Sequence, residues 1–97
     1  MEENQGQLRV RLPRKNEVFG IVYTIYGAKH FEVRCSDGKI RFCRIPKSLA
    51  KNVRVREQDL VLVEPWPIEG DKKGDIVWKY TKVESEWLKE KGFLKDL

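Results

Sequence analysis

Apolar and polar residues alternate with a period of two along much of this chain, a pattern that predicts β-strands. The run Val18–Tyr26, VFGIVYTIY, is rich in β-branched and aromatic residues and predicts the first strand. Gly20 within it indicates a bulge or a tight bend. Gly27-Ala28 then predicts a turn, and KHFEVRCS at residues 29–36 predicts a second strand with one wet side.

Asp37-Gly38 is the strongest turn signal in the chain, because it lies between two alternating runs. The dipeptide suits a two-residue type I′ turn, whose two central residues both need positive φ. A third strand, KIRFCRI, is therefore predicted at residues 39–45. The turn also sets the pairing of the two strands, for which we expect Cys35 opposite Ile40, Arg34 opposite Arg41, and Val33 opposite Phe42.

This pairing predicts which side chains of the hairpin face the barrel interior. Four residues are expected to point inward: Val33, Cys35, Ile40 and Phe42. Arg34 and Arg41 are then side by side on the solvent face, where like charges at cross-strand spacing repel each other. A bound phosphate chain would reverse that effect, so the pair favours RNA.

The same pairing, if continued, turns Arg44 into the interior, which is unfavourable for a charged group. We therefore expect a bulge near Phe42-Cys43 that returns Arg44 to solvent and sends Cys43 and Ile45 inward.

The rest of the chain predicts two more strands and two helical segments. PKSLAKN at residues 46–52 suits one helical turn, and strands are expected at residues 60–64 and 75–80. Thr81 to Glu84 has the T-x-x-E form of a capping box and predicts a terminal helix that Gly92 ends. The expected apolar stripe of that helix is Val83, Trp87 and Leu88.

Five short strands, a helical connector between the third and fourth, and a terminal helix predict a mainly β, five-stranded OB-fold barrel. An SH3-like barrel is the competing topology. We expect a flexible basic N-terminal arm at residues 1–16, the barrel at 17–81, and a C-terminal helix and tail at 82–97 packed on the barrel. The face formed by strands 2 and 3 is where OB-folds bind oligonucleotides.

The net charge of +5 is distributed unevenly along the chain. Residues 9–56 hold 13 Lys and Arg against 3 acids, whereas residues 57–97 hold 7 against 10. A charge separated in this way tends to form one basic face, which favours a polyanion. The alternative is an ordinary solvated surface.

Arginine suits RNA, because a guanidinium group binds phosphate oxygens bidentately and stacks on exposed bases. The candidate RNA-binding residues lie on the hairpin, the connector and the approach to strand 4: Arg34, Lys39, Arg41, Arg44, Lys47, Lys51, Arg54 and Arg56.

Six aromatic residues are candidates for stacking on bases: Tyr23, Tyr26, Phe31, Trp66, Trp78 and Trp87. A domain of 97 residues needs most of its aromatic side chains in the core, so we expect each of them to pack.

The sequence indicates no catalytic, cofactor or metal site. His30 is the only histidine, and Cys35 and Cys43 do not form a CxxC pair. We expect both cysteines to be reduced packing residues, as in a cytoplasmic protein. The polar first residues lack the order of a secretory signal, and no apolar run is long enough to cross a membrane.

Six segments, in their order and spacing, resemble the archaeal translation initiation factor 1A family: RKNEVFGIV, VRCSDGK, RIP, VREQDLVLVEPW, GDKKGDIVWKYTK and EWLKEKG. The resemblance covers residues 14–94. It implies an S1-like OB-fold that binds ribosomal RNA in the A site of the small ribosomal subunit. It further implies help in recruiting initiator tRNA and mRNA, cooperation with other initiation factors, and no catalysis. We expect a monomer.

The connector departs from the family pattern, which usually has a glycine, a basic stretch and then an aromatic residue after Ile45-Pro46. Here the chain has KSLAKNVRV, with Arg54 in the place of the aromatic residue. Four arginines match the pattern: Arg34, Arg41, Arg44 and Arg56. Two alternatives remain: a general single-stranded RNA-binding protein of the cold-shock type, and a diverged paralogue that acts as a protein-interaction module.

Overall fold

The computed structural model describes residues 9–27, 29–50 and 53–97. Five strands close into a barrel in the order β1-β2-β3-β5-β4, with β3 and β5 parallel and the other pairs antiparallel. The elements are β1 (Val18–Tyr26), β2 (His30–Cys35), β3 (Ile40–Arg44), α1 (Lys47–Ala50), β4 (Leu60–Pro65), β5 (Lys73–Lys79) and α2 (Lys82–Glu90). This arrangement confirms the predicted OB-fold over the SH3-like alternative. Ala28 of the predicted turn lies outside the described residues.

The barrel interior is apolar, because each strand turns alternate side chains inward. Its buried residues are Val22, Phe31, Val33, Cys35, Cys43, Ile45, Val55, Val61, Val63 and Ile76. Cys35 and Cys43 are both free and buried, which confirms that they are packing residues. Burial raises the pKa of Cys43 to about 12, so its thiol stays protonated at neutral pH.

A second apolar cluster lies on the outside of β1 and β4. It buries Phe19, Leu60, Leu62, Tyr80 and Leu88, and Val10, Ile21, Val77, Trp87 and Leu94 pack against it. Helix α2 and the segments around Val10 and Leu94 therefore cover this side of the barrel. The outward faces of β2 and β3 instead expose Ile40 and Phe42 to solvent.

Helix α2 begins and ends as its sequence predicts. The Thr81 side chain accepts from the Glu84 N–H, and the Glu84 side chain accepts from the Thr81 N–H. At the other end Gly92 has φ +85°, and the Phe93 N–H donates to the Leu88 carbonyl, which completes the helix stop. The expected stripe is only partly right, because Leu88 is buried whereas Val83 is 62% exposed.

Residues 9–16, the last part of the expected arm, lie against the barrel. The Arg11 guanidinium binds Glu17 at 2.8 Å, and the Tyr80 hydroxyl donates to the Arg11 carbonyl. The guanidinium of Arg11 also lies 5.4 Å from the ring centroid of Trp78. Residues 1–8 lie outside the described residues, and the domain boundary at residue 16 stays a prediction.

The β2–β3 hairpin has a different register from the one predicted. The Cys35 N–H donates to the Lys39 carbonyl, so residues 36–38 form a three-residue loop in which Gly38 has φ +85°. A three-residue hairpin loop with a bulge favours glycine at this position. The Asp-Gly pair is therefore compatible with both the two-residue and the three-residue loop. Arg34 therefore pairs with Ile40, and Val33 pairs with Arg41.

A shift of one residue turns every side chain of a strand to the opposite face. Ile40 and Phe42, predicted to be inside, are 53% and 45% exposed, and Arg41, predicted to be on the surface, is 3% exposed. The prediction that Arg34 and Arg41 lie side by side in solvent is wrong. The predicted bulge at Phe42-Cys43 is also absent, because the observed register already places Cys43 inside.

Strand β1 carries its bulge between Val22 and Thr24, not at Gly20. Gly20 is needed for a close approach instead, because a Cβ there would lie 2.4 Å from Cγ1 of Val33. The strand pairs with β4 through Val18–Ile21 and with β2 through Gly20–Tyr26, so this close contact lies where the barrel closes.

The observed register predicts unequal effects of one substitution at two positions. Phe31→Ala removes a ring that is 2% exposed and should lower the free energy of unfolding by about 3–5 kcal/mol. Phe42→Ala removes an exposed ring that contacts Tyr26 and His30 and should lower it by about 1 kcal/mol. Denaturant titration of both variants measures the difference, and equal losses would place Phe42 in the core.

The Asp37–Arg41 ion pair predicts a defined loss of stability in acid. The hydrogen bond from Arg41 holds the pKa of Asp37 below its ordinary value. The pair therefore stabilises the fold above the unfolded-chain pKa of about 3.9. This contribution is lost as the pH falls through the lower pKa of the folded state.

Asp37→Ser should lower the free energy of unfolding at neutral pH by about 3 kcal/mol, because the buried guanidinium loses its counter-charge. Its stability should then fall less steeply than that of the wild type between about pH 5 and pH 2. Thermal unfolding across this pH range checks both effects. Parallel curves for the two proteins would show that the ion pair does not stabilise the fold.

Candidate nucleic-acid interface

The outward side of β2 and β3, with the end of β1 and Trp66 beside it, forms a surface that we call the open face. Its side chains belong to Tyr23, Tyr26, His30, Glu32, Arg34, Ile40, Phe42, Arg44 and Trp66. Aromatic rings and two arginines share this surface, whereas the opposite side of the barrel is covered by α2. It is the face that OB-folds use for oligonucleotides.

Three rings form the centre of the open face. The His30 and Phe42 rings are stacked with centroids 5.3 Å apart and an interplanar angle of 14°. The centroid of the Tyr26 ring lies 5.6 Å from that of Phe42. Neighbouring rings at these separations support one another and present a broad apolar surface. Such a surface suits an unpaired base, since every base has a π-face.

Two arginines of the open face lie over aromatic rings. The Arg34 guanidinium carbon is 4.3 Å from the Tyr23 centroid, and that of Arg44 is 5.0 Å from the Trp66 centroid. Each contact holds a guanidinium in place while the group stays exposed to solvent. A positioned guanidinium loses less conformational freedom when it binds a phosphate.

Trp66 is fixed by its neighbours as well as by Arg44. Its indole N–H donates to Oδ1 of Asp75 at 2.9 Å, and Nε of Arg44 lies 3.2 Å from the same oxygen. Lys73 approaches the ring to 5.6 Å. One carboxylate thus orients both the indole and the guanidinium above it.

Glu32 is the acid on this surface, and the Tyr26 hydroxyl donates to its Oε1 at 3.2 Å. A carboxylate repels phosphate but accepts hydrogen bonds from amino groups on base edges. The open face therefore combines stacking rings, guanidinium donors and one acceptor.

The structure brings some of the predicted RNA-binding residues together on the open face. Arg34 and Arg44 lie on it at opposite ends of the hairpin, about 13 Å apart along the strands. Lys39 lies at the hairpin loop, where its ammonium is 3.3 Å from Asp71. Lys47 borders a groove of about 430 Å³ that Arg44 also lines.

The remaining predicted residues lie elsewhere. Arg41 points into the protein and is corrected to an internal residue. Arg54 and Arg56 are exposed on the segment before β4, where the Lys79 ammonium donates to the Arg54 carbonyl. Arg54 lines a groove beside the start of α2 and a second groove beside Gly27 and Ile45. Lys51 lies outside the described residues.

Sequence reasoning missed the aromatic part of this surface. Tyr23 and Tyr26 were expected to pack in the core and are exposed, and Phe42 was assigned to the interior by the wrong register. Trp78, which lies outside the open face, was also expected to pack and is exposed. Phe31 is buried as expected. The sequence does contain a signal for the exposed position of Phe42. Gly38 also permits a three-residue loop, and the register of that loop turns Phe42 outward.

Two further observations bound the chemistry of the described residues. In residues 9–27, 29–50 and 53–97, no group of three or more His, Cys, Asp or Glu has the arrangement of a metal site. Within the same ranges, no helix has the length and apolar character needed to cross a membrane.

Comparison with known proteins identifies the family. The family profile of translation initiation factor 1A / IF-1 matches residues 7–97. The chain is 50% identical over 90 residues to translation initiation factor 1A of Pyrococcus abyssi, which covers 93% of this chain and 80% of the relative. It is 48% identical to the factor of Methanothermobacter thermautotrophicus, over 96% of this chain and 94% of that protein.

The factor of Archaeoglobus fulgidus is 46% identical and matches 98% of this chain and 99% of its own length. The similarity thus extends over the barrel, the open face and the terminal helix. The OB-fold barrel, the match to the family profile and the identity of 46–50% to these relatives agree. The chain belongs to the translation initiation factor 1A family.

Proposed function

We propose that this protein is a translation initiation factor that binds ribosomal RNA in the A site of the small ribosomal subunit through its open face. In this position it promotes recruitment of initiator tRNA and mRNA, and it acts with other initiation factors as a cytoplasmic monomer without catalysing a reaction. The observation that carries the proposal is the presence of two guanidinium groups, each over an aromatic ring, beside a cluster of rings on one uncovered sheet face, in a chain of this family.

This surface suits folded RNA better than a duplex. A duplex hides its base faces, whereas loops and bulges present unstacked bases beside phosphates. The rings around Phe42 match such bases, and the arginines match the phosphates beside them. The roughly 13 Å between Arg34 and Arg44 spans about two phosphates of a single strand.

Four of the predicted residues belong to the proposed interface: Arg34, Lys39, Arg44 and Lys47. Arg41 is left out because it is buried. Arg54 and Arg56 are left out because they lie on the segment before β4, outside the strands β2 and β3 that form the open face. The less basic connector therefore removes charge beside the interface while the open face itself stays intact.

A second candidate function is general binding of single-stranded RNA. The exposure of Tyr23, Tyr26 and Phe42 favours it, because proteins of this type hold successive bases on aromatic platforms. The two functions differ in their preferred RNA: the initiation factor prefers the small subunit, whereas the general binder does not discriminate. A test must therefore include an unstructured oligonucleotide.

Replacement of one interface arginine should weaken binding to small subunits. Arg44→Ala should lower the affinity about tenfold, since a hydrogen bond to a charged group contributes about 1.5–3 kcal/mol. It should also reduce the slope of log affinity against log salt by about 0.7–0.9, the effect of one phosphate contact. Co-sedimentation with purified small subunits across a salt series measures both.

Lys95→Ala on the C-terminal segment is the matched control, because it removes one positive charge from the covered side of the protein. It should leave the slope unchanged. Equal losses for Arg44→Ala and Lys95→Ala would mean that net charge alone drives binding, which contradicts an interface at the open face.

Removal of a ring at the centre of the open face should weaken binding without changing its salt dependence. Phe42→Ala should lower the affinity for small subunits about tenfold, because base stacking on an aromatic residue contributes about 1–3 kcal/mol. Phe93→Ala removes a similarly exposed ring from the C-terminal segment and should have less than about a twofold effect.

The same proteins should be titrated against a random single-stranded oligonucleotide. The proposal expects wild-type affinity for the small subunit to exceed that for the oligonucleotide by a factor of about a hundred or more. Comparable affinities for the two would favour the general single-strand binder.

A further inference from the structure

Arg41 is a charged residue inside a barrel whose other inward-facing residues are apolar. Its Nη1 and Nη2 donate to the two carboxylate oxygens of Asp37 at 3.0 and 2.8 Å. Its Nε donates to the Gly70 carbonyl. Burial acts to lower the pKa of Arg41, but the hydrogen bonds with Asp37 and Cys35 raise it above its ordinary value. The group is therefore charged, and each of its three nitrogens donates one hydrogen bond.

These bonds connect two loops that are far apart in the sequence. Asp37 lies in the β2–β3 loop, and Gly70 lies in the loop between β4 and β5, residues 66–72. The Phe42 N–H donates to the Lys72 carbonyl at 2.8 Å, and Lys39 binds Asp71 at 3.3 Å. Residues 39–42 thus hold the β4–β5 loop at several points, and Arg41 is the buried side chain among them.

The loop that Arg41 holds carries Trp66 at its other side. A Cβ at Gly70 would lie 2.5 Å from the Trp66 carbonyl oxygen, so the backbone at Gly70 packs directly on the backbone at Trp66. The Gly70 backbone therefore cannot move toward Trp66 unless the Trp66 backbone moves as well. The Trp66 ring supports the Arg44 guanidinium on the open face.

We propose that Arg41 is a positioning residue of the RNA-binding surface: it fixes Gly70, and through Gly70 it sets Trp66 at the edge of the open face. The inference rests on the proposed function, since it assigns Trp66 to the RNA interface. Arg41 touches no RNA itself. Its effect on binding passes through the β4–β5 loop.

The geometry requires arginine at this position. One side chain must donate to both carboxylate oxygens of Asp37. It must also direct a third donor, in another direction, to the Gly70 carbonyl. The guanidinium fork provides these donors in a fixed plane, whereas an ammonium group is a point charge on a flexible stem. Lysine would keep the charge but would lose the simultaneous contact with both loops.

The test compares wild type, Arg41→Lys, Trp66→Ala and the double variant in two measurements. The first is the ¹H–¹⁵N spectrum of the indole N–H groups, in which the Trp66 signal should shift in Arg41→Lys while those of Trp78 and Trp87 stay in place. The second is affinity for small subunits, which should fall about tenfold in Arg41→Lys. Circular dichroism selects a temperature at which every variant is folded.

If Arg41 acts through Trp66, the two substitutions are not additive. The double variant should then bind within about twofold of Trp66→Ala alone. Losses that multiply, or an unchanged Trp66 signal, would overturn the inference, because a purely structural arginine would weaken binding independently of that ring.

Two more variants serve as controls. Gly70→Ala disturbs the same contact from the loop side and leaves the guanidinium in place, so it should shift the Trp66 signal and weaken binding as Arg41→Lys does. Asp71→Asn breaks the exposed ion pair with Lys39 at the same junction, leaves Lys39 in place, and should have less than about a twofold effect.

The outcomes also separate this inference from the proposed function. Wild-type protein that does not bind small subunits would contradict the proposed function. Wild-type protein that binds, together with an Arg41→Lys variant that binds equally well, would contradict the positioning role alone.

Discussion

The three-residue loop at residues 36–38 determines which side chains the open face presents to solvent. Because the Cys35 N–H closes on the Lys39 carbonyl, Arg41 and Cys43 point inward, and Ile40, Phe42 and Arg44 point outward. The alternative two-residue turn would reverse each of these assignments between Ile40 and Phe42. The aromatic centre of the open face and the buried ion pair are thus two consequences of one loop length.

An arginine inside a small barrel is tolerated only when its charge and its donors have partners. Asp37, in the β2–β3 loop, supplies the counter-charge, and Gly70, in the β4–β5 loop, supplies a carbonyl acceptor. The electrostatic reasoning from sequence, that Arg34 and Arg41 repel each other until RNA binds, does not apply to this molecule. Arg34 and Arg44, the arginines of the open face, instead make cation–π contacts with two different rings, which keep them apart from one another.

Periodicity and end signals predicted the elements well, because both depend on neighbouring residues. Strand β1 has the predicted bounds, and the capping box at Thr81 and the stop at Gly92 are present in α2. The register of the hairpin could not be obtained in this way. Asp-Gly is compatible with both loop lengths, and the observed loop brings Arg41 into contact with Gly70, 29 positions away in the sequence, a contact that periodicity does not detect.

The same limit explains the misplaced aromatic residues, since which side of a strand is covered depends on where α2 packs.

The central claim, that the open face contacts ribosomal RNA, can be measured directly. Cys35 and Cys43 are buried, so a cysteine introduced at Ile40 or at Glu86 on α2 reacts selectively with an iron chelate. On the small subunit, hydroxyl radicals from residue 40 should cleave ribosomal RNA strongly and those from residue 86 weakly. Strong cleavage from residue 86 with none from residue 40 would contradict the account.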